Sequence, residues 1–159
     1  MSMQRMVIAP EVARALAAHR AVVALETTVV THGLPQPRGV QVARDMEAAV
    51  TAAGAVPATI GMLDGSVRVG LTHEELDRLA ATPQVPKVNL SNFAATLVAR
   101  GTGSTTVAAT MLAAHQAGIG VFATGGIGGV HRGASETDDV SSDLTALARF
   151  PVAVICAGA

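Results

Sequence analysis

The chain has no tryptophan and no tyrosine, and three phenylalanines are the whole aromatic content of its 159 residues. Platforms on which nucleic-acid bases stack are therefore poorly supplied. A basic excess is missing too. Eleven Lys and Arg against 12 Asp and Glu leave a formal net charge of −1, which argues against a binder of DNA or RNA backbones. Lysine occurs once, as Lys87, and cysteine once, as Cys156 in the apolar run VAVICAGA. A buried thiol is expected there, and a cytoplasmic location, since nothing points to disulfide chemistry. No apolar run reaches the roughly 18 residues of a membrane-spanning helix. The opening stretch MSMQRMVIAPEVARALAAHR is too interrupted for a secretory leader.

What is present is half apolar and only 14% charged, which suits one folded domain with a sizeable core. PEVARALAAH (10–19) has helical spacing with Pro10 in its first turn. AVVALETTVV (21–30) reads as a buried strand, and THGLPQPRG as a loop. An amphipathic helix is expected over 40–54, closing on Gly54. Asp64-Gly65 sits between VPATIGML and SVRVG as a hairpin turn. Thr72 and Glu75 form a capping box for a helix over 73–81. A short strand at 85–90 precedes a helix capped by Ser91 or Asn92. A small-residue helix over 104–118 and a strand over 119–124 follow. Ser141 caps a helix to residue 149, and PVAVICAGA (151–159) reads as a central strand. Strands alternating with helices predict an α/β fold with a mostly parallel sheet and one β-hairpin.

Glu26 interrupts an apolar run at the carboxyl end of a predicted parallel strand, where open α/β sheets place ligands. It is either a solvated strand-end carboxylate or an acid whose proton affinity burial has raised. His32, in the next loop, is a solvated side chain or a neighbour of that site. Lys87 is ordinary composition or a point charge for phosphate. GTGSTTVAAT (101–110) is a plain helix cap or an anion site. FATGGIGGVHRGASETDDVSSD (122–143) sets five glycines, His131 and Arg132 before Glu136, Asp138, Asp139 and Asp143. It fits neither the dinucleotide fingerprint nor the Walker pattern. It reads as a ligand loop whose acids face solvent or hold a hard divalent cation through water.

VALETTVVTHGLPQP, GAVPATIG, GSTTVAATM, FATGGIGGVHRG and ICAGA together resemble the pseudouridine-5′-phosphate glycosidase family, also called indigoidine synthase A-like. The resemblance runs in order from about residue 8 to the last residue and covers the N-terminal half of the family chain. It implies an α/β/α layered enzyme, usually a homotrimer, that reversibly splits the C–C glycosidic bond between uracil and ribose 5-phosphate with Mn2+ bound. Carried over by motif, Glu26 is the proton donor and His131 an active-site neighbour with a catalytic part. Lys87, Val107, Thr124, Ser141, Ser142 and Asp143 bind substrate, and Asp139 is the metal ligand. The family's Schiff-base lysine follows CAGA directly, so this chain is expected to be the N-terminal portion of the glycosidase and inactive alone. The segment KVNLSN departs from the K-x-S-R-R-D of many members. The alternatives are a non-catalytic module for sugar phosphate and metal, or a C-glycoside enzyme of the indigoidine type.

Overall fold

The computed structural model describes residues 5–158. Ala159, the last residue of the strand expected at 151–159, and the first four residues of the stretch weighed as a leader lie outside them. The chain runs β1 (Met6–Ile8), α1 (Pro10–Ala17), β2 (Val22–Leu25), a π-helical turn (Val29–Gly33), α2 (Arg38–Ala52), β3 (Val56–Leu63), β4 (Ser66–Val69) and α3 (His73–Ala81). It continues β5 (Lys87–Val88), α4 (Phe93–Val98), β6 (Gly103–Thr105), α5 (Val107–Ala117), β7 (Val121–Thr124), α6 (Ala134–Thr137), α7 (Ser142–Arg149) and β8 (Ala153–Cys156).

The main sheet has the order β1-β4-β3-β2-β7-β8, with β6 also on β3 and β5 on β6. Pairing is parallel except where β3 meets β4 and β6. Side chains alternate across each strand, and the alternation sorts the core into two clusters. Ala24, Ala58, Ile60, Met62 and Phe122 share one cluster with Val12 of α1, Met111 of α5 and Ala146 of α7. Leu63 on the other face packs with Ala43 of α2 and Leu76 and Leu79 of α3. The result is the expected α/β/α layering, with helices on both faces. Among the described residues, no helix is long and apolar enough to cross a membrane.

Local chemistry sets the element ends. Asp64 (φ 51°) and Gly65 (φ 72°) turn the β3–β4 hairpin, which joins Leu63 to Ser66. Thr72 and Glu75 close the capping box on α3. Gly118, at φ 80°, ends α5 in the left-handed region.

Several expectations need correction. The strand expected over 21–30 stops at Leu25. Beyond it the threonine hydroxyls, rather than strand amides, reach the neighbours: Thr27 donates to the Ile60 carbonyl (2.9 Å) and Thr28 to the Thr105 carbonyl (2.7 Å). The expected loop begins as a helical turn instead. The helix expected from 104 starts at Val107, because Ser104 lies in β6 between Gly61 and Lys87. The strand at 85–90 is two residues long, because asparagine side chains fold the chain into a turn. Asn92 Oδ1 accepts from the Asn89 amide (2.8 Å), so it makes no cap bond for α4. The strand expected to be central, β8, pairs only with β7 and forms an edge among the described residues. Cys156 is accordingly exposed rather than buried.

Gly39, in the first turn of α2, is buried against the preceding turn, and a Cβ there would overlap the Val30 carbonyl oxygen. Helix propensity alone favours alanine by about 1 kcal/mol. Overpacking should reverse that sign, so Gly39→Ala is expected to cost roughly 1–3 kcal/mol in urea unfolding. A stabilised variant would contradict this packing.

Candidate active site at the carboxyl edge of the sheet

Glu26 follows β2 directly, so it emerges between the ends of β3 and β7. Thr124, the last residue of β7, donates its hydroxyl to Glu26 Oε1 and accepts from the Gly126 amide (3.3 Å). Burial pushes the Glu26 carboxyl above its ordinary value; the Thr124 hydrogen bond opposes this and the Asp143 charge adds to it. The carboxyl therefore holds its proton to higher pH than a solvated glutamate, as a proton donor requires.

One flank of Glu26 is built from hydroxyls. Thr27 Oγ1 accepts from the Thr105 amide (2.9 Å), and Thr105 Oγ1 donates to the Ile60 carbonyl (2.6 Å). Thr106 then begins α5 without a side-chain cap, its own hydroxyl buried and unpartnered among the described residues. Val107 is the first helical residue and is buried at 4% exposure. Lys87 stands beside Ser104 in the β5–β6 register, with an exposed side chain. Thr31 Oγ1 donates to Ser104 Oγ (2.8 Å) and shares a hydrogen bond with His32 Nδ1 (2.7 Å). Partial burial and then the Lys87 charge hold the His32 imidazole below its usual value, against the Val85 carbonyl, which raises it. His32 and Lys87 thus share one corner.

The other flank is the glycine loop. Asp143, only 7% exposed, accepts from the Ala108 amide through Oδ1 (2.9 Å) and from the Gly128 amide through Oδ2 (2.8 Å). It supplies the cap that Thr106 does not, and it fastens the loop to two helices. Ser141 caps α7, accepting from the Asp143 amide (3.2 Å), and its own amide donates to the Gly129 carbonyl (3.0 Å). A Cβ on Gly128 would lie 2.7 Å from Ser141 Cβ and 3.0 Å from Asp143 Oδ2, so this contact needs glycine. Ser142 is the first residue of α7. The Ile127 amide donates to the Gly158 carbonyl (3.1 Å), which brings the end of the ICAGA segment onto the same loop.

Farther out, Val130 bridges Val140, and His131 Nδ1 lies 3.0 Å from Asp139 Oδ1. Both side chains are more than half exposed, at 56% and 63%. Glu136 and Asp138 are exposed on the same excursion. Among the described residues, no three His, Cys, Asp or Glu side chains converge as a metal cluster. The oxygen and imidazole donors at Asp139 and His131 fit a hydrated divalent ion held mostly by water, not a closed cage.

Glu26, Thr124, Asp143 and Val107 are thus joined through direct bonds and adjacent residues, with Lys87 on one rim and the His131–Asp139 pair on the other. A cleft of about 840 Å³ between the starts of α1 and α3 and the side of α2 holds none of them. Of its charged lining, Arg44 binds Asp77 and Glu47 receives Thr59. Sequence reasoning missed the Thr27–Thr105 framework and the Thr31–Ser104–His32 chain. The doubled threonines of LETT and GSTT were the available signal.

The comparisons with known proteins fall on this same scaffold. The family described as Indigoidine synthase A like protein matches residues 11–159. A pseudouridine-5′-phosphate glycosidase of Paracoccus denitrificans is 55% identical over 154 residues, covering 96% of this chain and 51% of that protein. The crystal structure of the prealnumycin C-glycosynthase AlnA in complex with ribulose 5-phosphate superposes with a TM-score of 0.89 at 42% identity, over 98% of this chain and 50% of that one. An indigoidine synthase A-like protein from Thermotoga maritima gives 0.86 at 30% identity, over 99% and 51%. The chain spans about half the length of the curated relatives it matches.

Two outcomes test this geometry. Asp143→Asn can accept through only one side-chain oxygen and sets its amide group against a buried N–H, so it should lose about 2–3 kcal/mol in urea unfolding. An unchanged midpoint would refute the double grip. A carboxyl whose folded value lies above its unfolded one takes up protons on folding. The stability it lends is complete at low pH and fades as pH rises through the folded value. Glu26→Gln should therefore melt with the parent near about pH 4 and above it near about pH 9. The opposite trend would show that the carboxylate form is the favoured one.

Proposed function

The chain belongs to the indigoidine synthase A-like family, and on that footing we propose that the whole protein reversibly cleaves the C–C glycosidic bond of pseudouridine 5′-phosphate to uracil and ribose 5-phosphate. The observation that carries this reading is Glu26: a partly buried carboxyl, biased toward its protonated form, at the meeting point of β2, β7 and the glycine loop. The names of the relatives support the substrate class, since a glycosidase for pseudouridine 5′-phosphate and a C-glycosynthase bound to a pentose phosphate share this scaffold.

The chemistry explains why such a carboxyl is useful. When the glycosidic bond breaks, the bonding pair goes to the uracil carbon, which must then be protonated. Glu26 supplies that proton, and Thr124 orients the carboxyl through its hydroxyl. Lys87 favours the anionic sugar phosphate from one side, where Val107 begins α5. Ser141, Ser142 and Asp143 position the sugar from the other, with the glycine loop between them. The family's lysine after CAGA would donate its nitrogen lone pair to C1 of the opened ribose as that bond breaks, leaving a Schiff base that water then hydrolyses to ribose 5-phosphate. Gly158, bonded to Ile127, brings that segment to the same loop. Asp139, beside His131, would hold Mn2+, which supplies charge for orienting the substrate. A homotrimer in the cytoplasm completes the proposal.

The test uses this chain continued by the second half of the Paracoccus denitrificans relative, with uracil release as the readout. Glu26→Gln should lower the rate by about 10²–10⁴-fold while ribose 5-phosphate still binds by calorimetry. Chelation should suppress turnover, and added manganese should restore it. A parent chain that binds ribose 5-phosphate yet releases no uracil would reject the reading, as would full activity in Glu26→Gln.

A further inference from the structure

The β3–β4 hairpin turns on Asp64-Gly65, the one Asp-Gly pair in a chain that has no Asn-Gly. Packing imposes the glycine. Its φ is 72°, and a Cβ there would lie 2.6 Å from Arg100 Cα and 2.8 Å from the Leu97 carbonyl oxygen. The turn in return grips the segment that leads into β6. The Asp64 amide donates to Thr102 Oγ1 (3.2 Å) and the Gly65 amide to the Gly101 carbonyl (2.8 Å). These bonds extend the short β3–β6 ladder, which pairs Gly61 with Ser104 and Met62 with Gly103.

A glycine after an aspartate also leaves the backbone open to rearrangement, because no side chain shields its nitrogen. The Gly65 nitrogen attacks Asp64 Cγ: an N–Cγ bond forms, a Cγ–O bond breaks, and the carboxyl OH leaves as water with the amide proton. Water then reopens the five-membered ring. Opening at the original backbone carbonyl routes the chain through Cβ and Cγ, an isoaspartyl link with one extra backbone atom. The reaction needs a protonated carboxyl and an unbound amide N–H. The fold opposes both. Arg78 Nη2 donates to Asp64 Oδ1 (2.6 Å), and that hydrogen bond, followed by the Arg78 charge, holds the carboxyl below its ordinary value against some desolvation. The Gly65 amide proton is committed to Gly101.

We propose that Asp64-Gly65 is a latent isoaspartyl modification site, closed in the folded protein by Arg78 on the carboxylate and Gly101 on the amide, and opened when the hairpin tip releases both. The choice of aspartate fits this. Aspartate and asparagine both tolerate the φ of 51° at this position, but only the acid meets Arg78 with a charge. Its side chain is 64% exposed, so water reaches the ring once it forms. Conversion lengthens the turn and breaks the register that joins Leu63 to Ser66. It also frees Gly101 and Thr102, whose chain leads directly to Ser104 and Thr105 in β6. Chemical change at an exposed turn thereby reaches the hydroxyl framework beside Glu26.

The experiment incubates the chain, continued by the second half of the Paracoccus denitrificans relative, warm and at mildly acidic pH. Isoaspartate is read by labelling tryptic peptide 45–68 with an isoaspartyl carboxyl methyltransferase. Unfolding in urea should raise the rate of labelling by more than about tenfold. Arg78→Ala, with its fold checked by circular dichroism, should raise it about two- to fivefold in the folded protein. Arg78→Lys, which keeps a cation opposite Asp64, should stay near the parent. In converted protein, amide exchange over 101–105 should speed up. Equal labelling of folded and unfolded chain would overturn the proposal. So would a folded Arg78→Ala as slow as the parent, or a folded Arg78→Lys as fast as Arg78→Ala. Should Arg78→Ala fail to fold, the folded and urea rates of the parent and Arg78→Lys still decide. None of these readouts depends on the proposed chemistry.

Discussion

The arrangement of the site depends on one carboxylate that braces it from within the fold. Asp143 stands at the start of α7, yet its two oxygens bind amides from elsewhere: Ala108 in the first turn of α5 and Gly128 in the glycine loop. Charge-assisted bonds of this kind are the stronger class, and at 7% exposure little water competes for them. Three segments far apart in sequence are fixed by one group. Without it the α5 terminus would have no side-chain acceptor, since Thr106 provides none. The loop that passes Thr124 on its way to His131 would lose its main anchor inside the fold.

A second constraint works at the strand ends. Where β2 stops, its backbone no longer pairs, yet the neighbouring carbonyls of Ile60 and Thr105 still need donors. Thr27, Thr28 and Thr105 supply hydroxyls to them. This lets the chain leave the sheet at Glu26 without leaving buried carbonyls unpaired. It also keeps the edge open, because side-chain hydroxyls occupy less space than another strand would. Glu26 stands between that hydroxyl framework and Thr124, which explains how one carboxyl can be partly buried at a strand end.

Much of this fold was legible in the sequence, for reasons that can be named. Asp64-Gly65 specifies its turn through backbone dihedrals, and Thr72 with Glu75 specifies a helix start through two local bonds. Such signals act within four residues and survive any tertiary context. The misreadings share the opposite cause. AVVALETTVV carries strand propensity throughout, but threonine hydroxyls bonded to residues more than 30 positions away end the strand. Cys156 sits in a run that reads as buried, while its exposure depends on what lies beside β8. The site was legible where a residue broke its local pattern, as Glu26 does within an apolar run. The bracing role of Asp143 was not, because an aspartate in a first helical turn looks the same whether it binds its own helix or another.

The same contacts explain why the two carboxyls of the site are suited to different work. Asp143 is met by two N–H donors. Glu26 is met by one hydroxyl, is partly buried, and faces the charge of Asp143. Burial raises its proton affinity, and the neighbouring carboxylate raises it further. A fixed anion beside an uncompensated carboxyl is a general way to keep the second group protonated. The brace that holds the loop thus also adds, after burial, to the upward push on the Glu26 carboxyl. The two effects cannot be separated by moving Asp143 away, because the bonds that fix the loop also fix the distance over which its charge acts. Geometry at this edge and the Asp143 part of the push on Glu26 are therefore set together, while burial supplies the larger part.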